Sequence, residues 1–121
     1  MKPVWSVEFA SREFAPVLPE VCQVNPGVYG FELAFWLAEA LASRGIVTSY
    51  PGAEDWGWYL GFEEDNARLL IGCGGSIETW TIFVAPSPKW FGKHPSDVAV
   101  QRLASAILAA LSEKGIRPLA A

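Results

Sequence analysis

The hydrophobic positions of the chain follow two different periods, and the period changes at glycine and proline residues. Residues 4–9 place their apolar side chains on one side and their polar side chains on the other. This alternation with a period of two is typical of a half-buried strand. Residues 12–27 contain three prolines and are expected to be irregular.

Two segments instead repeat their apolar residues at helical spacing. The first stripe consists of Leu33, Trp36, Leu37, Ala40 and Leu41, and the second of Val100, Leu103, Ala104, Ile107, Leu108 and Leu111. The first helix can begin at Asn25–Pro26 or at one of the glycines 27 and 30, and Ser96 or Asp97 is expected to cap the second.

Both predicted helices are followed by the same sequence phrase. Ala-Leu-x-x-x-Gly-Ile occurs at Ala40 and again at Ala110, with a basic residue before each glycine. A glycine at this point can adopt the left-handed conformation that ends a helix, and the isoleucine can pack back on the last turn. The phrase is therefore interpreted as one stop signal used twice.

Four further strands are predicted between the helices, at residues 46–50, 56–62, 68–73 and 79–85, separated by short turns rich in glycine and polar residues. Strands joined by short turns form an antiparallel meander. The element order is thus β-α-β-β-β-β-α. We expect a single α+β domain over residues 1–121, a two-layer sandwich with both helices on one face of a mainly antiparallel sheet.

Composition narrows the class of protein. The 121 residues are 51% hydrophobic and carry a formal net charge of −4, which argues against a disordered chain and against a basic nucleic-acid binder. The most apolar stretch, residues 33–42, is ten residues long and interrupted by Glu39, which is too short to span a membrane. No secretory signal is recognised at the N-terminus, so a cytoplasmic location is expected. Cys22 and Cys73 are expected to be free, buried thiols.

No motif for catalysis or for a cofactor emerges. His94 is the single histidine, which leaves no second imidazole for a metal site. The segment Cys73-Gly74-Gly75-Ser76 lacks the lysine and the helix of a phosphate-binding loop and is expected to be a hairpin turn. We therefore predict no catalytic residue, no metal and no cofactor, and a protein that is not an enzyme.

Acidic residues concentrate in the middle of the chain. Residues 46–88 contain six Asp and Glu residues against one Arg, whereas residues 89–121 have a net charge of +3. The acidic side chains can be a solvated sheet edge, which prevents edge-to-edge pairing, or a patch that attracts a basic partner. The candidate partner-binding carboxylates are Glu54, Asp55, Glu63, Glu64 and Asp65.

Two pairs of aromatic residues are the remaining candidates for partner binding. Trp56 and Trp58 are expected on one face of a strand, either as core beneath the helices or as an open aromatic platform. Trp90 and Phe91 lie in a predicted loop beside two lysines, where they can cover the core edge or contact a partner. Stacking on nucleic-acid bases is disfavoured by the acidic composition.

The run Glu54–Tyr59, together with Gly30–Leu41 and Arg44–Ile46, resembles small bacterial proteins of the toxin-immunity type over residues 28–85. The resemblance implies binding to a cognate toxin, with no defined functional residue carried over. The alternative from another class is a regulatory or ligand-binding module, whose pocket between sheet and helices is lined by Trp36, Trp58 and Trp80. A homodimer through a sheet edge or an apolar face is compatible with either hypothesis.

Overall fold

The computed structural model describes residues 2–23, 25–64, 67–87 and 97–119. The order of its helices and strands follows the order that the hydrophobic pattern predicts. In chain order they are β1 (Trp5–Ala10), a short 3-10 helix (Glu20–Cys22), α1 (Phe31–Ala42), β2 (Gly52–Glu54), β3 (Gly57–Glu64), β4 (Ala67–Gly75), β5 (Thr79–Pro86) and α2 (Asp97–Glu113). The α+β class and the predicted element order are confirmed.

The five strands form one antiparallel sheet with the order β1-β5-β4-β3-β2. The predicted meander is its central part, β3-β4-β5. The strand predicted at residues 46–50 is wrong, because the regular pairing on that edge is made by Gly52–Glu54 instead. Pro51, which follows the predicted strand directly, has no backbone N–H to donate to a neighbouring strand. Ser49 nevertheless runs beside β3, where its hydroxyl accepts a hydrogen bond from the Gly61 N–H at 2.8 Å.

Both helices contribute to one hydrophobic core on one face of the sheet. Alternate residues of β5 point toward this core, and Trp80, Ile82 and Val84 are fully buried. The helical stripes of Leu33, Leu37 and Leu41 and of Leu103, Ile107 and Leu111 belong to the same core. The expectation that Leu108 is part of the stripe is wrong, because this side chain is 39% exposed.

The repeated stop signal forms the same structure at both helix ends. Gly45 and Gly115 each have a φ of 81°. The N–H groups of Ile46 and Ile116 donate to the carbonyls of Leu41 and Leu111, at 2.9 Å in both cases. This bond over five residues, with the left-handed glycine, is the Schellman motif.

The two stop motifs lie close together, since Arg44 at the end of α1 bridges to Glu113 at the end of α2, 2.9 Å apart. The α1 and α2 C-termini therefore point to the same end of the molecule. No helix within the described residues has the length and apolar composition needed to cross a membrane.

Candidate functional site

Two clusters of aromatic rings lie on the two sides of α1. The first, called the closed cluster, consists of Phe9, Phe14, Trp36 and Trp80. Phe14 is its centre, with ring centroids 6.2 Å from Phe9, 5.3 Å from Trp36 and 6.0 Å from Trp80. Trp80 is fully buried, and its indole N–H donates to the Ser11 carbonyl at 3.0 Å.

Lys114 covers the closed cluster from the end of α2. Its Nζ lies 5.8 Å from the Phe14 ring centroid and 5.5 Å from the Trp36 ring centroid. Both distances are within the range in which a cation is attracted to the face of an aromatic ring. The Glu13 carboxylate lies 3.4 Å from the same Nζ. The closed cluster is thus a complete arrangement of rings, cation and counterion.

The second, called the open cluster, consists of Phe31, Phe35, Tyr50 and Trp58. The Phe31 centroid lies 5.1 Å from Trp58, 6.0 Å from Phe35 and 6.3 Å from Tyr50, and Phe35 lies 6.4 Å from Tyr50. Phe35 is 42% exposed and Tyr50 is 72% exposed. Exposed aromatic side chains in contact with one another form a surface patch of the kind that binds partners.

The start of α1 places Phe31 on the sheet. Tyr29 pairs with Gly75 at the end of β4 through two backbone hydrogen bonds of 3.1 Å. Gly30 follows with a φ of 155°, and a Cβ at this position would lie 2.4 Å from the Cys73 carbonyl oxygen. Only glycine allows α1 to begin this close to β4. As a result, the first residue of the helix packs edge-on against Trp58.

Trp56 and Trp58 do not share a face, so that prediction is wrong. β3 begins at Gly57, which leaves Trp56 in the turn after β2. Its ring contacts Phe83 at 5.1 Å. Phe83 lies over Gly72, on the sheet face opposite the helices. The strand alternation therefore does not apply to Trp56, whereas Trp58 points toward the helices and joins the open cluster.

The described ring contacts give little support to one pocket lined by Trp36, Trp58 and Trp80. Trp36 and Trp80 both contact Phe14, but Trp58 contacts Phe31 in the other cluster. The Trp58 indole N–H is buried and has no hydrogen-bond partner among the described residues. A groove of about 350 Å³ lies elsewhere, on the face opposite the helices, with Tyr59 and Leu70 in its wall.

The acidic candidates fall into two groups. Glu63 forms an ion pair with Arg68 at 2.6 Å, and Glu64 pairs with Arg102 of α2. Glu54 and Asp55 are exposed, and within the described ranges their carboxylates have no ion-pair partner. The Asp55 carbonyl accepts a hydrogen bond from the Asn25 amide at 2.6 Å. The turn between β2 and β3 thus keeps its negative charge, while Glu63 and Glu64 are partly compensated.

Three predicted partner-binding residues, Asp65, Trp90 and Phe91, lie outside the described residues. Three residues of the open cluster were missed in the sequence, namely Phe31, Phe35 and Tyr50. Phe31 and Phe35 are four residues apart and therefore neighbours on a helix, at positions away from the stripe of Leu33, Leu37 and Leu41. This second stripe was the signal available for finding them.

The two cysteines differ in environment and are both free. Cys73 is buried, as expected, and its burial raises the pKa of the thiol, so the group remains protonated at neutral pH. Cys22 is exposed, so the expectation of a buried thiol is wrong there. Its position in the short 3-10 helix, which buries no residue, explains the exposure.

Among the described residues, Tyr29 is a second titratable group with a shifted pKa. Desolvation and the nearby Glu20 carboxylate raise the pKa of the Tyr29 phenol. The Tyr29 hydroxyl donates a hydrogen bond to this carboxylate at 3.2 Å. The phenol therefore stays neutral and acts as a hydrogen-bond donor. Within the described ranges, no three His, Cys, Asp or Glu side chains are grouped as a metal site would need.

No protein-family model, curated protein or solved structure matches this chain. The candidate site therefore rests on its own geometry, which is an exposed aromatic cluster near the turn of Glu54 and Asp55, whose carboxylates have no ion-pair partner in the part of the chain that the structure describes.

Proposed function

We propose that this protein is a non-catalytic binding protein of the toxin-immunity type, which neutralises a cognate protein toxin by direct contact through the open cluster. The observation that carries the proposal is the exposure of Phe35 and Tyr50, at 42% and 72%, within a group of four contacting rings. The cytoplasmic location expected from the sequence belongs to the same proposal.

Leaving these aromatic rings exposed to water costs free energy that binding to a partner recovers. Each Å² of apolar surface removed from water contributes about 25 cal/mol, and aromatic side chains dominate the energetics of protein interfaces. Phe31 contacts both exposed rings and itself packs on Trp58, so the rings are held in place before a partner arrives. A surface organised in advance loses less entropy on binding.

The experiment is a rescue assay in cells that express a toxin gene found next to the gene of this protein. The double variant Phe35→Ser and Tyr50→Ser is expected to abolish the rescue, because it removes both exposed rings. A matched control, Val4→Ser and Val21→Ser, changes two other exposed apolar residues, 54% and 89% exposed, and should retain the rescue. Circular dichroism verifies that both variants fold. Full rescue by the ring variant would overturn the proposal.

A further inference from the structure

The closed cluster indicates what the open cluster lacks. In the closed cluster, Lys114 lies over Phe14 and Trp36 and is balanced by Glu13. The chain therefore already contains one aromatic cluster covered by a cation from another element.

The open cluster has aromatic rings and acidic residues of the same part of the chain, but among the described residues no lysine or arginine lies over its rings. Glu39 is exposed and lies one turn after Phe35 on α1, whereas Glu32, one turn before Phe35, is partly buried and accepts a hydrogen bond from the Val17 N–H at 3.1 Å. Glu54 and Asp55 follow Ala53, the residue of β2 that pairs with Trp58. Among the described residues, none of these four carboxylates takes part in an ion pair.

The part of the chain that forms the open cluster is poor in basic residues. Residues 13–67, which include α1, β2 and β3, contain nine Asp and Glu residues and a single Lys or Arg, Arg44. Arg44 is already paired with Glu113 of α2. The basic residues of the chain are concentrated outside this range, where two of them neutralise Glu63 and Glu64.

We infer that the open cluster binds a lysine or arginine side chain on a basic surface of the protein partner, in the place that Lys114 takes in the closed cluster. This inference rests on the proposed function and specifies the chemistry of the partner. A cation over Phe35 and Tyr50 gains from the ring faces, and the excess of negative charge in residues 13–67 accelerates its approach. A partner with an acidic surface would be rejected by the same negative charge.

The probe is a synthetic peptide of alternating lysine and glycine residues, titrated into the intact protein while tryptophan fluorescence is followed. Two further peptides carry norleucine or glutamate in place of lysine. We expect saturable binding of the lysine peptide and none of the other two. Equal binding of the norleucine peptide would overturn the inference, because it would show that the cluster recognises apolar surface without charge.

Two variants, each lacking three carboxylates, distinguish the effect of charge near the open cluster from the effect of the net charge of the protein. The cluster variant is Glu39→Gln, Glu54→Gln and Asp55→Asn, and the control is Glu8→Gln, Glu78→Gln and Asp97→Asn. The cluster variant should weaken binding of the lysine peptide roughly tenfold and the control less than about threefold, because attraction between exposed charges is screened within about 10 Å. Equal weakening in both would contradict the inference, since only the net charge would then matter.

The rescue assay distinguishes failure of the inference from failure of the proposed function. In one outcome, the ring variant loses rescue and the cluster variant keeps full rescue, even at raised salt and at low expression. The proposed binding through the rings would then stand, and the inferred contact with a lysine or arginine would be wrong. If both variants keep rescue, the proposed function itself is wrong. Loss of rescue in both, with the control variant unaffected, supports both.

Discussion

The closed and open clusters are built from similar side chains but have opposite relations to solvent. Each contains four aromatic residues, and each uses residues of α1. The closed cluster receives Phe14 from the irregular segment after β1 and Lys114 from the end of α2. The open cluster is completed by Tyr50, which is itself exposed. The difference shows that other segments covering the rings, rather than the rings themselves, decide which cluster is core and which is surface.

The largest expected effect is the loss of a ring from the closed cluster. Trp80→Ala removes a fully buried side chain and its hydrogen bond to Ser11. We expect a loss of about 3–5 kcal/mol in the free energy of unfolding, because a large cavity remains in the core. Urea denaturation measures it. A loss below about 1 kcal/mol would mean that the closed cluster is not part of the core.

The same substitution in both clusters sharpens the comparison. Trp80→Phe leaves the Ser11 carbonyl without its donor and is expected to cost about 1–3 kcal/mol. Trp58→Phe removes a buried N–H that has no partner among the described residues, so the cost should be smaller by about 1 kcal/mol or more. Chemical denaturation of the two variants in parallel tests the difference. Equal losses would contradict the contrast between a satisfied and an unsatisfied indole.

Removing the cation tests whether Lys114 stabilises the closed cluster through its charge. Lys114→Met keeps most of the apolar stem and is expected to cost about 0.5–1 kcal/mol, the usual value of a cation over an aromatic face at a partly exposed site. Thermal unfolding measures the change. Glu13→Gln is the control, because it removes the counterion and leaves the lysine over the rings. If Lys114→Met were as stable as the unchanged protein, the comparison with a partner's lysine would lose its basis.

The smallest effect on stability is expected in the open cluster. Phe35→Ser combined with Tyr50→Ser changes two exposed side chains, and the free energy of unfolding should change by no more than about 1 kcal/mol in total. The same variant is the one expected to lose the rescue. A stability loss as large as that of Trp80→Ala would indicate that the open cluster is structural and would remove the reason to consider it a binding surface.

Partner-binding residues were harder to predict from the sequence than helices and strands, because their surroundings depend on residues that are distant in the chain. Glu54, Asp55, Glu63 and Glu64 look alike in the sequence, but Glu64 meets Arg102, which is 38 residues away in the chain. Trp56 and Trp58 look like a pair until the boundary of β3 places one of them in a turn. In each case the outcome depends on a contact or on a boundary that no local pattern encodes.

Features that depend on residues close together in the chain could be predicted from the sequence. The α+β class, the order of helices and strands, the central meander and the two glycine stops follow from periodicity and from the freedom of glycine, which act over a few residues. The packing of the folded chain was needed to show which rings are covered, which carboxylates form ion pairs, and that Phe31, Phe35, Tyr50 and Trp58 form one cluster. These features arise where distant segments pack together, and burial and pairing of charges are properties of that packing.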